Sequence, residues 1–338
     1  MVGHDDGLGP SDIVVTAVVV SWNTRELLRQ CLDNLKATAA TLPMQIVVVD
    51  NASADGSADM VAVDFPWVQL LRNDRNLGFG RGNNCAFPHA RGRYLLLFNP
   101  DARFDAPTTL LRWVALMEQH TDITASGAYV VDGDGRHRLG DAGFRPSLRS
   151  MLGLYWFLAR VSPRWFPPYF LYARDAASVD VDWVSGAAML VRSSCLAGLG
   201  GFDERIFMYG EDVEWCCRMR DHGYRVVHLP TIRVTHFEGA STRQHRGAGF
   251  SIRWFQQLRA LCFHYNPHQP AWIIDVVLLA GLAMRVLGYG VVVVARGGGF
   301  ASSRIAQHLA CLGFLCRQFG RRGVPWSAPQ DNEQGGAE

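Results

Sequence analysis

Tyr94-Leu95-Leu96-Leu97-Phe98-Asn99-Pro100-Asp101-Ala102 passes from an unbroken apolar run through a proline to a lone acid. Its apolar residues, 94–98, form a run of strand length suited to burial on both faces of a sheet. Pro100 has no N–H to give to a ladder and stops the strand. Asp101 is thereby set just beyond a strand's carboxyl end, where open α/β sheets bind their ligands. A hard divalent cation seeks oxygen donors at such a place and commonly bridges to a diphosphate. An aspartate after proline is also an ordinary turn residue, so its meaning depends on its surroundings.

Working outward, apolar runs of strand length alternate with helical patterns. Strands are expected at 14–21, 46–50, 68–72 and 94–98. Helices are expected at 24–39 (with Thr24 as cap), 56–63, 80–90 and 107–120. Such alternation builds a mostly parallel, Rossmann-like α/β sheet with helices on both faces. Asp50 ends the run 46–49 and so also stands at a strand's carboxyl edge. Asn51, Ser53, Asp55 and Gly56 after it are turn formers able to meet a ribose or a base. The segment 76–84 carries glycines at every second position without a Gly-x-Gly-x-x-Gly fingerprint, and by itself it reads as a flexible loop. The part from 123 to 246 is mixed. It has a hairpin-like segment at 129–138, turning at Asp132-Gly133-Asp134-Gly135, and a strand-like run at 231–235 that ends in His236.

A second set of carboxylates follows in Phe202-Asp203-Glu204-Arg205-Ile206-Phe207-Met208-Tyr209-Gly210-Glu211-Asp212-Val213-Glu214-Trp215. Gly210 permits a tight approach, and 211–219 has a helical pattern. Capping and the helix dipole account for one acid in a first turn. They account less well for Glu211, Asp212 and Glu214 together behind Phe202, Phe207 and Tyr209, which can shield them from water. Glu214 and Arg218 are four apart, the spacing of a surface ion pair. One site built from both sets could hold a metal through Asp101 and accept a proton at the later pair. His236 precedes Gly239, Ser241 and Thr242 and then Arg243, His245 and Arg246, an order that suits a metal ligand facing phosphates.

The chain's 338 residues can bury a sizeable core. A net charge of +2 gives no bulk electrostatic reason to expect nucleic acid. Eight cysteines without metal-type pairing read as buried free thiols. Residues 1–12 are acidic and glycine-rich with no secretory pattern, and they are expected to form a disordered tail, as is the end, 323–338.

Two stretches suggest a membrane. Residues 151–172 mix Tyr155, Trp156, Phe157, Trp165, Phe166, Tyr169, Phe170 and Tyr172 with Arg160 and Arg164, a composition suited to the headgroup interface or to an ordinary core loop. Residues 271–295 are long and apolar enough to span. Asp275 and Arg285 would each cost roughly 2.5–3.5 kcal/mol at the centre of a bilayer, which favours an in-plane or partly inserted helix over a span. A soluble helical hairpin packed on the preceding domain is the alternative.

Taken in order, Val18-Val19-Val20-Ser21-Trp22-Asn23, Val47-Val48-Val49-Asp50-Asn51, Asn76-Leu77-Gly78-Phe79-Gly80, Phe98-Asn99-Pro100-Asp101, Val184-Ser185-Gly186-Ala187-Ala188, Gly210-Glu211-Asp212 and His236 resemble family 2 glycosyltransferases of the GT-A fold, in their rhamnosyltransferase-like branch. The matching segments cover about the first two-thirds of the chain. The resemblance implies a GT-A catalytic domain over 13–250, with a nucleotide-binding part at 13–120 and an acceptor part at 121–250. A membrane-associating helical region at 251–322 would follow. It implies Asp212 as the catalytic base with Glu211 beside it, and Asp101 and His236 as ligands of Mg²⁺ or Mn²⁺. Ser21, Asn23, Asp50, Asn51, Asn76, Gly78, Asn84 and Asn99 would lie around the nucleotide sugar. The family's Asp-x-Asp reads Asn99-Pro100-Asp101 here, so one acidic ligand is missing. The implied reaction moves a sugar, with dTDP-L-rhamnose as the expected donor, to a polyprenyl-linked saccharide at the cytoplasmic face of the membrane. A sugar nucleotidyltransferase and a non-catalytic nucleotide- or glycan-binding scaffold are the rival readings. The first usually needs a glycine- and lysine-rich loop that Trp22-Asn23-Thr24-Arg25 replaces.

Overall fold

The computed structural model describes residues 13–137, 139–171, 177–237, 252–296 and 299–322. The expected tails, Tyr172, and the run from Gly239 through Arg246 lie outside the described residues. The first half alternates as its pattern dictates: β1 (Val15–Ser21), α1 (Arg25–Ala39), β2 (Met44–Asp50), α2 (Ser57–Asp64), β3 (Gln69–Arg72), α3 (Gly78–Ala86), β4 (Tyr94–Phe98), β5 (Ala102–Phe104) and α4 (Thr109–Gln119). The second half adds β6 (Ile123–Val131), β7 (Ala142–Gly143), α5 (Leu148–Tyr155), β8 (Val179–Asp180), β9 (Trp183–Val184), β10 (Ala188–Arg192), α6 (Leu196–Leu199), α7 (Glu211–Asp221) and β11 (Arg225–His236). Three helices close the chain: α8 (Ile252–Tyr265), α9 (Ala271–Arg296) and α10 (Gly299–Gln318).

The main sheet runs β3-β2-β1-β4-β10-β6-β11-β5, with β8 beside β11, so strands from both halves share one sheet. Its first four strands are parallel, and β10 enters antiparallel to both β4 and β6. Alternate side chains feed two cores. Val15, Ala17, Val19, Val48, Leu96 and Phe98 pack with Leu28, Leu32 and Leu35 of α1 and Trp113 of α4. Val18, Val20, Val47, Val49, Leu95 and Leu97 belong to the opposite layer, with Trp215 of α7, Leu258 of α8 and Leu278 of α9.

Several sequence readings change. Thr24 stands at the start of α1, but its hydroxyl meets Ser21 Oγ at 2.9 Å and caps no helix amide. The orphan N–H of Arg25 instead donates to Asp55 Oδ2 at 2.8 Å, so the next loop caps this helix. The expected hairpin at 129–138 reduces to one bridge between Val131 and His137, because β6 spends its ladder on β10 and β11. The segment 76–84 forms helix from Gly78 onward. Gly78 has φ +80°, and a Cβ there would come 2.1 Å from the Phe207 carbonyl oxygen, so only glycine lets this helix start against the 200–210 loop. Glu214 does pair with Arg218, at 2.8 Å, yet its side chain is buried, so this is no surface pair. Arg218 also donates to the carbonyls of Leu199 and Gly201, which ties α7 to the loop before it. Seven thiols are buried or half-buried as expected, while Cys316 is exposed.

The stretch from 151 divides. Tyr155 and Tyr169 are core residues, whereas Trp156, Phe157 and Trp165 are exposed. α9 joins it: Arg285 donates to the carbonyls of Leu154 and Tyr155, and Trp156 Nε1 donates to the Val277 carbonyl at 3.4 Å. Asp275 is fully buried and takes two hydrogen bonds from Arg259 of α8, at 2.7 and 2.9 Å. α9 and α10 lie against each other as a helical hairpin on the sheet domain. α9 is also the one helix, among the described residues, long and apolar enough to cross a membrane.

Candidate active site

The expected site residues lie at the carboxyl ends of β1, β2 and β4, in and just before α3, at the start of α7 and at the end of β11. At the first two ends the polar side chains mostly brace the rim. Asn51 N–H donates to the Ser21 carbonyl. Asn23 N–H donates to Ser53 Oγ, and Asn23 Oδ1 accepts from Ala54 N–H at 2.7 Å. The Asn51 amide is used at both ends, giving to the Gly78 carbonyl and receiving from Asn73. Asn76 Oδ1 accepts from Gly78 N–H, which opens α3. Asn84 holds both the N–H and the carbonyl of Phe202, so it fixes α3 to the 200–210 loop. Asp50 differs. Its Oδ2 accepts from Ser53 N–H at 3.0 Å, but its Oδ1 is buried without a hydrogen-bond partner. A buried acceptor left open at a strand's end is an acceptor waiting for a donor.

At the end of β4, Asp101 and His236 meet, with Nε2 of the ring 2.9 Å from Asp101 Oδ1. The Asn99 amide nitrogen lies 3.1 Å from the same Nε2. His236 arrives because the last three residues of β11 pair with β5, placing His236 opposite Ala102. One carboxylate, one imidazole and one amide thus converge. Among the described residues no group of three or more His, Cys, Asp or Glu is arranged to hold a metal ion, and the set here has a single acidic donor. Carboxylate and imidazole together suit Mn²⁺ or Mg²⁺ when phosphate oxygens supply the rest of the coordination shell.

The later acids close the site. Asp212 Oδ2 accepts from Gly186 N–H at 3.1 Å, and its Oδ1 from Val213 N–H at 2.8 Å. Adjacent Ala187 gives its carbonyl to Asn99 N–H at 3.0 Å. One short segment, 185–187, therefore holds the acid at the head of α7 and the Asn99–Asp101 turn in a fixed relation. The sequence reading gave Gly186 no role. A Cβ at Gly186 would stand 2.7 Å from the Phe79 ring, so the contact needs a residue without one. Burial pushes the Asp212 carboxyl above the ordinary carboxylate range, against the pull of its two N–H donors. Glu211 is 5 % exposed and its Oε2 has no partner. Burial, then the charge of Asp212, pushes it up to about 8. The charge of Asp212 thus favours the protonated form of its neighbour Glu211.

The backbone around this rim is strained. Four non-glycine residues among those described have positive φ, and three of them stand here: Asn23 at 52°, Ala52 at 59° and Tyr209 at 69°. Such residues cost about 1–3 kcal/mol each and cluster where function requires a set geometry.

Beneath the 185–187 segment lies a cluster the sequence did not signal. Asp141 is buried and its Oδ2 is 2.9 Å from His137 Nε2 and 3.2 Å from His228 Nε2. Its backbone carbonyl accepts from Ser185 N–H at 2.8 Å.

Comparison with known proteins gives this geometry a family. The sequence profile described as "Glycosyl transferase family 2" matches residues 16–193, just over half the chain. The chain is 28 % identical over 246 residues to the N-acetylglucosaminyl-diphospho-decaprenol L-rhamnosyltransferase of Mycobacterium tuberculosis, covering 68 % of this chain and 78 % of that protein. It is 25 % identical over 252 residues to the rhamnosyltransferase WbbL of Escherichia coli K12, covering 71 % and 89 %. Among solved structures it resembles the mannosyltransferase PcManGT of Pyrobaculum calidifontis in complex with GDP-Man and Mn²⁺, with a TM-score of 0.54 and 19 % identity over 91 % of this chain and 86 % of that one. That likeness concerns the fold, which is of the GT-A type. The chain belongs to glycosyl transferase family 2 and is a glycosyltransferase.

Proposed function

We propose that this protein transfers a sugar, with inversion at the anomeric carbon, from a nucleoside diphosphate donor to a hydroxyl of a lipid-linked saccharide. The proposed donor is dTDP-L-rhamnose, the proposed acceptor a polyprenyl-diphosphate saccharide, and the setting the assembly of a cell-surface polysaccharide at the cytoplasmic leaflet. The observation that carries this reading is the 185–187 segment, which bonds Asp212 on one side and Asn99 on the other. An acid of raised proton affinity is held beside a turn suited to a diphosphate. The rhamnosyltransferase names of the relatives, and the decaprenol-linked substrate in one of them, support the choice of sugar and acceptor.

In this reading Asp50 Oδ1 accepts from the nucleotide base. The loops braced by Ser21, Asn23, Asn51, Asn76, Gly78 and Asn84 wall the nucleotide. Asp212 takes the proton of the acceptor hydroxyl as its oxygen bonds the anomeric carbon, and the bond from that carbon to the diphosphate oxygen breaks with its electron pair leaving on the diphosphate. Glu211 keeps its proton near neutrality, which limits charge repulsion at Asp212. Asp101 and His236, with Asn99, would hold a divalent cation, which when bound neutralises the departing diphosphate.

The test is a panel of nucleoside diphosphate sugars offered to the purified full-length protein with and without Mn²⁺, read by thermal stabilisation. The expected result is a metal-dependent rise in Tm, largest with dTDP-L-rhamnose. Stabilisation by no nucleotide sugar, with metal or without, would overturn the reading.

A further inference from the structure

The two membrane-suggestive stretches, separated by 98 residues in sequence, form one surface in the fold. Trp156 bonds the Val277 carbonyl, and Arg285 of α9 lies over the rings of both Tyr155 and Phe157, at 4.5 and 5.0 Å. Beside that seam Trp156, Phe157, Val161 and Trp165 are exposed. Along α9, Trp272, Val276, Leu287, Val291 and Val294 are exposed, with Val294 at 89 %. Ala280 and Ala283 complete the steps of three and four residues between them, so these positions form a single stripe about a third of the helix circumference wide. The stripe carries no charge. The opposite side of the first half of α9, with Ala271, Ile274, Leu278 and Leu282, is buried against the protein, while further along that side Val292 is exposed.

Charge identifies what covers the stripe. The segments 142–171 and 252–322 hold twelve arginines and one acid, Asp275, and that acid is buried against Arg259. The remaining chain holds twenty-one basic and thirty acidic residues. The net charge of +2 thus conceals a strongly cationic part, and the apolar stripe belongs to it. A second copy offering this same face, with the same arginines, would be repelled there. An anionic lipid surface offers both apolar depth and negative headgroups.

We infer that the face formed by α9 and the 156–165 loop docks in the plane of an anionic bilayer. Trp156, Phe157 and Trp165 enter the headgroup region, the α9 stripe rests on acyl chains, and Arg149, Arg160 and Arg164 meet lipid phosphates. Both potential obstacles to insertion are already satisfied within the protein: Asp275 by Arg259, and Arg285 by two backbone carbonyls. α8 links this face to the chemistry. Its Arg259 grips α9, and its Leu261 side chain lies against Gly210 at the head of α7. The proposal rests on the lipid-linked acceptor reading and specifies how the site is presented to that acceptor.

The experiment is flotation of the full-length protein with vesicles of phosphatidylcholine alone or mixed with phosphatidylglycerol. The wild type is expected to float with the phosphatidylglycerol vesicles and to do so less as salt rises. Leu287→Glu with Val291→Glu, and separately Arg160→Glu with Arg164→Glu, should each weaken partition roughly tenfold or more with Tm unchanged. Val63→Glu, at an equally exposed valine on α2, should change nothing. Equal flotation by wild type and the α9 double variant overturns the proposal. So does a self-associated species that the α9 substitutions disperse without any vesicle binding, which would make a second copy the occupant. Recovery from membranes only by detergent, with the two chain ends on opposite sides, would show a span and also overturn it. Transfer to a water-soluble acceptor analogue separates the two readings. It should survive the α9 substitutions, whereas its absence from wild type that still binds vesicles would defeat the catalytic reading alone.

Discussion

The sheet domain, 13–237, and the helical layer, 252–322, place charge in opposite ways. In the sheet domain the acids proposed for function stand at element ends: Asp50 closes β2, Asp101 follows β4 and Asp212 lies in the first turn of α7. In the helical layer the one acid is buried while large apolar side chains face outward. On the readings proposed above, the first region meets a polar ligand in water and the second an apolar surface. The sheet domain carries acids both as internal clamps (Glu214, Asp141) and at element ends, whereas the helical layer has only the clamp.

Breaking the comparison on the catalytic side should have the largest effect. Asp212→Asn preserves shape and removes basicity, and its amide oxygen can keep only one of the two N–H contacts. Transfer should fall about 10²–10⁴-fold with nucleotide-sugar affinity nearly unchanged. Near-normal turnover would move the role of base to Glu211.

On the helical side, Asp275→Ala leaves Arg259 buried without a counter-charge, with only the Gln318 and Arg321 carbonyls to accept from it, and should cost about 3–5 kcal/mol of stability by denaturant unfolding. Replacing both partners, Asp275→Leu with Arg259→Met, should recover most of it. A loss under about 1 kcal/mol in the single variant would show that the clamp is ornamental.

Asp101→Ala should weaken metal-dependent binding of the nucleoside diphosphate by at least roughly tenfold, as removal of a metal ligand does. Chelator should depress transfer in the wild type. Unchanged nucleotide affinity with and without Mn²⁺ would take the metal out of the account.

The smallest effect concerns pH. Glu211 has an ordinary value of 4.5 and is pushed up to about 8 in the fold. The folded state therefore binds a proton that the unfolded chain releases between those values. Its stabilising effect is full below about 4.5 and is lost as pH rises toward 8. Glu211→Gln should flatten that decline, raising Tm relative to wild type at pH 8 more than at pH 5. Parallel curves would show that Glu211 ionises normally.

Much of the sheet domain was legible because its physics is local. The run 94–98 reads as a buried strand from composition alone, and Pro100 marks its end. Asp101, Asp212 and His236 could be proposed from the sequence for the same reason, as polar residues where a periodic element stops or starts. What stayed hidden depends on distant partners. The glycines of 76–84 look like a loop until Phe207, Phe202 and Val20 are seen pressing on the helix they form. Gly186 matters through an N–H, which no side-chain pattern announces. The Asp141 cluster joins residues 137, 141 and 228, and only the sheet brings them together. The two membrane-like stretches could be noticed singly, but their union depends on Arg285 reaching two carbonyls at the end of α5.

The most direct measurement is the fate of labelled rhamnose in a mixture of dTDP-L-rhamnose, polyprenyl-diphosphate N-acetylglucosamine, Mn²⁺ and the purified full-length protein. The account predicts a lipid-linked disaccharide whose new glycosidic bond has the anomeric configuration opposite to that of the donor, formed in wild type and nearly absent in Asp212→Asn. Product of retained configuration, or equal product from the Asp212→Asn protein, would contradict it.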